Sequence, residues 1–370
     1  MKRWQYWLLA ILNNYSVIVS STVLRLDLKK RQLKKESFWI SLYVTLSTLS
    51  LVVALPLAIP SNFAHGQLYE TNVVAKYANF ILLAVRSVII ITYVLTRSYR
   101  DKCLREWLEC LMAIHTAYLD RCKDIPKDIR CRKWIYCNCA LTWIHCLPLT
   151  VEMLEAQLNR RYDRLADMFL VCGMISVHHI NMLHHALLLC YIQECLSIVK
   201  QQLRENLVDP KLSLIYFQLR NLYRQLNELY GPMILWIQIG LILSNSMVGY
   251  IGFRMLLISS KNSGQYGYLF GNSLYLCVLA HMYIYFNICN WVEAMISELD
   301  IILYGYKPRD ISEAEEIQEI EKIVFSRSLF TPAIRICGMF DINFKTLFSI
   351  VSQTILYTIL LMQVDYGKIK

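Results

Sequence analysis

Residues 343–363 read NFKTLFSIVSQTILYTILLMQ. These 21 residues carry a single charge, Lys345 near the start. At about 1.5 Å per residue a helix of this length reaches roughly 30 Å, the thickness of a bilayer core. Only seven residues follow, so the segment is expected to act within the membrane or at its surface. Ser349, Gln353, Leu356, Leu360 and Gln363 recur at spacings of four, three, four and three, which on a helix is one stripe. Helices that align glutamine and serine in this way usually do not aim them at lipid. By composition alone the stripe can equally pack against neighbouring helices of its own subunit or face water.

The rest of the chain is also apolar. Hydrophobic residues make up 56%, charged residues 18%, and the mean hydropathy is +0.37, well beyond the balance of an average soluble domain. Runs long enough to span fall at Phe38 to Ile59, Val73 to Leu95, Trp134 to Leu154, Asp167 to Cys190, Pro232 to Ile258, Tyr268 to Asn290 and Asn343 to Gln363. The third and fourth are the weakest, since one holds His145, Pro148 and Glu152 and the other four histidines.

Lysine and arginine set the orientation. Of the 38 basic residues, 28 lie before span one, between spans two and three, between four and five, and between six and seven; the alternate segments hold 7. The positive-inside rule therefore puts the N-terminus in the cytoplasm, and seven crossings put the C-terminus outside. The net charge of +10 reads as a topology signal, not a nucleic-acid footprint. The polybasic run Arg25 to Lys35 is suited to anionic lipid. All thirteen cysteines fall in spans or on the cytoplasmic side and there is no CxxC, so no disulfide framework is expected. Trp4 to Val23 follows Met1-Lys2-Arg3, but Asn13-Asn14-Tyr15-Ser16 interrupts it and no small-residue cleavage site follows; it reads as an interfacial helix, not a signal peptide.

The expected architecture is an all-α membrane protein of seven transmembrane helices. Residues 1–37 form the cytoplasmic N-terminal segment, 38–290 spans one to six with their helical loops, 291–342 a cytoplasmic helical linker, 343–363 span seven and 364–370 an extracellular tail. Between spans four and five, Leu212, Ile215, Tyr216, Leu219, Leu222, Tyr223, Leu226, Leu229 and Tyr230 follow a helical period. Ser312-Glu313-Ala314-Glu315 opens a second amphipathic candidate, to Arg327, as a capping box. Such helices extend the spans into a cytoplasmic bundle.

No catalytic, metal or cofactor site is expected. His178, His179, His184 and His185 cluster on span four, but ligands for one ion on a helix stand three or four residues apart, and these pairs are one, five, six or seven apart. No phosphate loop or nucleophile elbow occurs. A seven-span receptor coupled to G proteins is one rival reading. Its acidic-Arg-aromatic triplet has a partial counterpart in Asp120-Arg121-Cys122, yet that class carries its N-terminus outside, against the basic-residue count. A small-molecule transporter is another, with Arg86 in span two, though no inverted repeat is visible.

Cys337-Gly338-Met339-Phe340-Asp341-Ile342-Asn343, then Leu347-Phe348, Tyr357 and Gln363, resemble the C-terminal signature of insect gustatory receptors: Thr-Tyr, five hydrophobic residues, Gln-Phe. Leu356 and Val364 stand where that signature has Thr and Phe. The resemblance extends more weakly over the whole chain. It implies a taste receptor of the insect chemoreceptor superfamily, a tetrameric ligand-gated, non-selective cation channel in the plasma membrane of sensory neuron dendrites. Bitter or aversive small molecules are the tastants it suggests. It makes the cytoplasmic bundle a subunit interface, in a homotetramer or a mixed one. It also turns the stripe into a pore lining, with Ser349 and Gln353 keeping the inner half wet, Leu356 and Leu360 forming an apolar constriction that closes by dewetting, and Gln363 ringing the outer mouth.

A ligand is expected in the outer half of the bundle of spans two to six. Tyr77, Phe80, Phe169, Tyr250, Phe253, Phe270 and Tyr275 fall in that layer with Trp143 deeper, and their rings and hydroxyls suit moderately apolar tastants. Arg86, in the same bundle, is expected to pair inside it or to snorkel.

Overall fold

The computed structural model describes residues 13–18, 22–27, 32–34, 37–64, 73–118, 130–144, 165–205, 210–258, 265–304, 335–336 and 340–369. Among them are seven long helices, one at each expected span: α1 (Phe38–Ala64), α2 (Val73–Ala117), α3 (Arg130–Ile144), α4 (Leu165–Glu205), α5 (Pro210–Ile258), α6 (Gln265–Tyr304) and α7 (Phe344–Ile369). Two antiparallel pairings of two-residue strands complete the described elements, β1 (Leu26–Asp27) with β2 (Gln32–Leu33) and β3 (Arg335–Ile336) with β4 (Phe340–Asp341). By length and composition α2, α4, α5 and α7 can each cross a membrane.

Length explains the shape of the inner bundle. α2 has 45 residues and α5 has 49, so they reach about 68 and 74 Å, more than twice a bilayer core. The excess lies at their basic ends. The segment after Cys103, too charged for a span of its own, continues α2 as an amphipathic extension. The amphipathic run from Leu212 and span five likewise form one rod. Pro210 starts it, where a missing N–H costs nothing. Pro232 lies inside it, on an exposed side shared with Glu228, so the carbonyl left without a helical donor is not in the core.

The extensions pack as the periodicity predicts. Leu212, Ile215, Tyr216, Leu219, Leu222, Tyr223, Leu226 and Tyr230 are buried. They share one core with Leu104, Trp107 and Leu111 of α2, Ile192, Leu196 and Val199 of α4, and Val292 and Ile296 of α6. Polar ties fix the register. Trp107 donates its indole N–H to the Leu222 carbonyl at 2.7 Å. The Tyr216 hydroxyl donates to Asp300 at 2.6 Å, and Arg220 pairs with the same carboxylate at 3.2 Å. Lys200 of α4 pairs with Glu298 of α6.

Two further ties hold α1 and the N-terminal segment. Arg97 of α2 donates to the Val44 carbonyl at 2.9 Å and the Thr48 hydroxyl at 2.7 Å, which clamps α1. Next to it Asp101 accepts the Thr22 hydroxyl at 2.9 Å and the Val23 N–H at 3.1 Å. Upstream, residues 13–18 are helical, and the Tyr43 hydroxyl donates to the Ile18 carbonyl at 2.9 Å. The amphipathic candidate at Ser312 to Arg327 and the Asp120-Arg121-Cys122 triplet lie outside the described residues.

Asp101→Ala removes the acceptor for two donors and is expected to cost about 1–3 kcal/mol. The detergent-solubilised protein should melt at lower temperature and lose protease protection at residues 13–27, and wild-type behaviour in both assays would contradict the tie.

Candidate functional site

The site is built on α7, whose start is set by the motif that precedes it. β4 ends at Asp341, in register with Arg335 of β3, and Ile342 is fully buried. Asn343 then caps the helix, its Oδ1 accepting the Thr346 N–H at 3.1 Å. The Thr346 hydroxyl donates back to the Asp341 carbonyl. The Phe-Asp-x-Asn run is thus a strand end joined to a helix cap. Nearby, burial and the neighbouring Asp341 hold the Glu293 carboxyl of α6 above the usual carboxylate range. Cys337, Gly338 and Met339 lie outside the described residues.

Beyond the cap, α7 packs by one narrow face. Ile350, Thr354 and Asp365 are buried, and Leu347, Thr358, Leu361 and Met362 are half-buried. At 100° per residue these positions fall on one side of the helix. Against that side lies α5. The Ser246 hydroxyl donates to the Thr354 carbonyl at 3.3 Å, and the Thr358 hydroxyl donates to the Ser246 carbonyl at 3.3 Å. Toward the outer end, Met247 and Tyr250 of α5 and Val74 of α2 form a buried cluster that Leu361 and Met362 cover.

Ser349, Gln353, Leu356, Leu360 and Gln363 are all exposed on the opposite side, Leu356 at 55% and Leu360 at 52%. Among the described residues, no helix of the same subunit covers this stripe. Tyr357, flanking the stripe, is exposed as well.

The expected ligand residues separate. Tyr250 is fully buried where α2, α5 and α7 meet, whereas Tyr77 and Phe80 are 67% and 51% exposed on the outside of α2. The side chains of Trp143, Phe169, Phe253, Phe270 and Tyr275 lie outside the described residues. Arg86 reaches across to α5 and donates to the Ser244 hydroxyl at 3.4 Å.

Span four's histidines are engaged with tyrosines and an amide. His184 Nδ1 is 2.6 Å from the Tyr230 hydroxyl. His185 Nδ1 is 2.9 Å from the Tyr285 hydroxyl, and its Nε2 is 3.2 Å from Asn227 Oδ1. Since Oδ1 can only accept, Nε2 carries the proton and a neutral ring takes the Tyr285 hydroxyl at Nδ1. His179 meets the His281 ring edge-on at 4.6 Å. No group of three His, Cys, Asp or Glu side chains among the described residues is placed to hold a metal ion. Arg100 completes this interior, donating to Asn181 Oδ1 at 3.0 Å with its guanidinium over the Tyr93 ring.

Sequence reasoning weighed His178 only as a metal ligand and passed over Gln238 and a second group of residues. Gln238 and His178 are buried, and neither Gln238 amide atom nor His178 Nε2 has a hydrogen-bond partner among the described residues. Counting along the antiparallel α4 and α5 from the His184–Tyr230 contact puts both within about one turn of the same level. Ser246, Gly249, Thr354 and Thr358 were also missed. Their signal was hydroxyls four apart on the back of the stripe and small residues on span five, the composition that lets membrane helices approach closely.

A sequence profile described as 7tm chemosensory receptor matches residues 7–368. Among solved structures, the insect olfactory receptor OR5 from Machilis hrabei in complex with eugenol aligns with a TM-score of 0.62 and 11% identity, over 97% of this chain and 98% of that one. A second structure of the same receptor aligns with a TM-score of 0.58 and 12% identity, over the same shares of the two chains. At such identity the likeness is one of fold. A search of curated protein sequences finds no match.

If the exposed face of α7 meets water, Gln353→Cys should react with a membrane-impermeant thiol reagent far faster than Thr354→Cys. Equal rates at these adjacent positions would contradict the assignment of faces.

Proposed function

This chain belongs to the 7tm chemosensory receptor family, and we propose that it serves as a subunit of a ligand-gated, weakly selective cation channel for taste. One observation carries the reading: α7 packs on its own subunit by a single face and leaves the Ser349, Gln353, Leu356, Leu360 and Gln363 stripe exposed on the opposite side. Glutamines on a membrane helix need water or a polar partner, and a second copy of the chain supplies both if several α7 helices surround one axis. Four copies is the assembly suggested by the resemblance to insect gustatory receptors, homomeric or mixed.

In this arrangement the stripe divides the path. Ser349 and Gln353 hydrate its inner half, Leu356 and Leu360 close it when water leaves, and Gln363 lines the outer mouth. Amide oxygens coordinate a passing cation more weakly than carboxylates, so sodium and potassium both pass.

The ligand is a small tastant, bitter or aversive compounds being the class the resemblance favours. The fold neighbour holds eugenol, which supports a small-molecule site in the bundle here. Tyr250, Gln238 and His178 are the groups we assign to its edge, the Gln238 amide atoms and His178 Nε2 having no hydrogen-bond partner among the described residues, with Trp143, Phe169 and Tyr275 as further candidates. Tyr77 and Phe80, being exposed, are assigned to the lipid or subunit boundary instead. The receptor works in the plasma membrane of sensory neurons.

Expressed alone in cells lacking taste signalling, the chain should give tastant-evoked currents that persist when G-protein function is blocked. Currents that vanish under the block would favour a coupled receptor. Gln363→Ala should change relative sodium and potassium permeability at normal surface density, and unchanged permeation would remove Gln363 from the mouth.

A further inference from the structure

We infer that Gly249 of α5 is a positioning residue for the gate: it sets how closely α7 is held, and the α5–α7 contact is the surface along which the terminal helix moves between shut and open. The inference rests on the channel reading above. Its physical basis is the contact itself.

A Cβ on Gly249 would lie 3.0 Å from Thr358 Oγ1 and 3.2 Å from Thr358 Cγ2. Both distances are below ordinary van der Waals contact, and the threonine side chain is β-branched with few rotamers to retreat into. A side chain at 249 therefore requires Thr358, and α7 with it, to give by a few tenths of an ångström. Since Thr358 is on the packed side of α7 and the polar stripe is on the other, the displacement is directed from α5 toward the stripe.

The hydrogen bonds at this contact are of a kind that can be given up. Ser246 donates its one hydroxyl proton chiefly to the Ile242 carbonyl of its own helix, at 2.8 Å, with Thr354 O as the longer branch at 3.3 Å. Thr358 does the same, with the Thr354 carbonyl at 2.8 Å and the Ser246 carbonyl at 3.3 Å. When the helices part, each proton keeps its nearer acceptor and no donor is orphaned. The clamp on α1 differs, because the Arg97 guanidinium donates directly to α1 at 2.7 and 2.9 Å. At Gly249, α7 thus meets α5 through weakly committed polar contacts, while α1 is held to α2 through strongly committed ones.

Gly249→Ala should push α7 toward the axis and narrow the Leu356 and Leu360 constriction, giving a several-fold smaller tastant-evoked current at unchanged surface density. Thr358→Ala removes both Oγ1 and Cγ2, the atoms at 3.0 and 3.2 Å, and should restore the current when combined with Gly249→Ala. An unaltered current in Gly249→Ala, or no rescue by the second change, would overturn the inference.

If Gly249→Ala fails to reach the surface, the pair Gly249→Cys and Thr358→Cys gives the same test. The Cβ built at 249 stands 3.7 Å from Thr358 Cβ, within the 3.5–4.5 Å a disulfide requires. Copper(II)–phenanthroline accepts the two electrons as two S–H bonds give one S–S bond, the protons passing to water. Linked peptides containing both cysteines should appear by mass spectrometry, with loss of evoked current that dithiothreitol reverses. A cross-link that forms and leaves gating unchanged refutes the sliding contact yet leaves the channel reading intact. A wild-type chain that passes no current, alone or co-expressed with related receptor subunits, refutes the channel reading and this inference with it, whether or not the cross-link forms.

Discussion

Glutamine on a membrane helix has to be met by water or by another polar group, and α7 carries Gln353 and Gln363 on the side its own subunit leaves bare. This constraint orders everything else. The packed face, with Ile350, Thr354 and Asp365 buried, is too narrow to enclose the stripe, and in the proposed channel the stripe is satisfied between copies. A channel of several copies is the arrangement in which hydration of the amides and burial of the leucines are compatible.

The remaining six helices have the character of a frame. Their long basic-end extensions share one continuous apolar core, and the polar ties crossing it are short and directional: Trp107 to Leu222, Tyr216 and Arg220 to Asp300, Arg97 to Val44 and Thr48. Burial of this kind contributes about 25 cal/mol per Å² of apolar surface, and it is concentrated where the basic residues place the cytoplasm. Two polar contacts of α7 with α5 are the longer branches of shared hydroxyl bonds. A rigid bundle beside one lightly held helix is suited to converting small rearrangements into movement of a gate.

The helices were legible in the sequence because spans announce themselves by length and the extensions by period. The run from Leu212 to Tyr230 recurs at helical spacing, and of the nine positions named for that period all but Leu229 are buried. What was illegible was which side of a uniformly apolar helix faces inward. Val73 to Leu95 has almost no polar face, so nothing in its spacing shows that Tyr77 and Phe80 are exposed on the outside of α2. Tyr250 is buried against α7, a neighbour that no spacing rule identifies. Pairings between distant segments were equally hidden, as with Asp101 and Thr22, or Gly249 and Thr358, because they depend on register between helices and not on any pattern within one.

The most direct measurement is a map of the assembled protein in lipid, at a resolution that shows side chains. The account predicts several copies around a central axis, with Gln353, Leu356, Leu360 and Gln363 of each α7 turned toward a continuous conduit. An assembly in which those side chains face acyl chains or are covered by helices of their own subunit would contradict it.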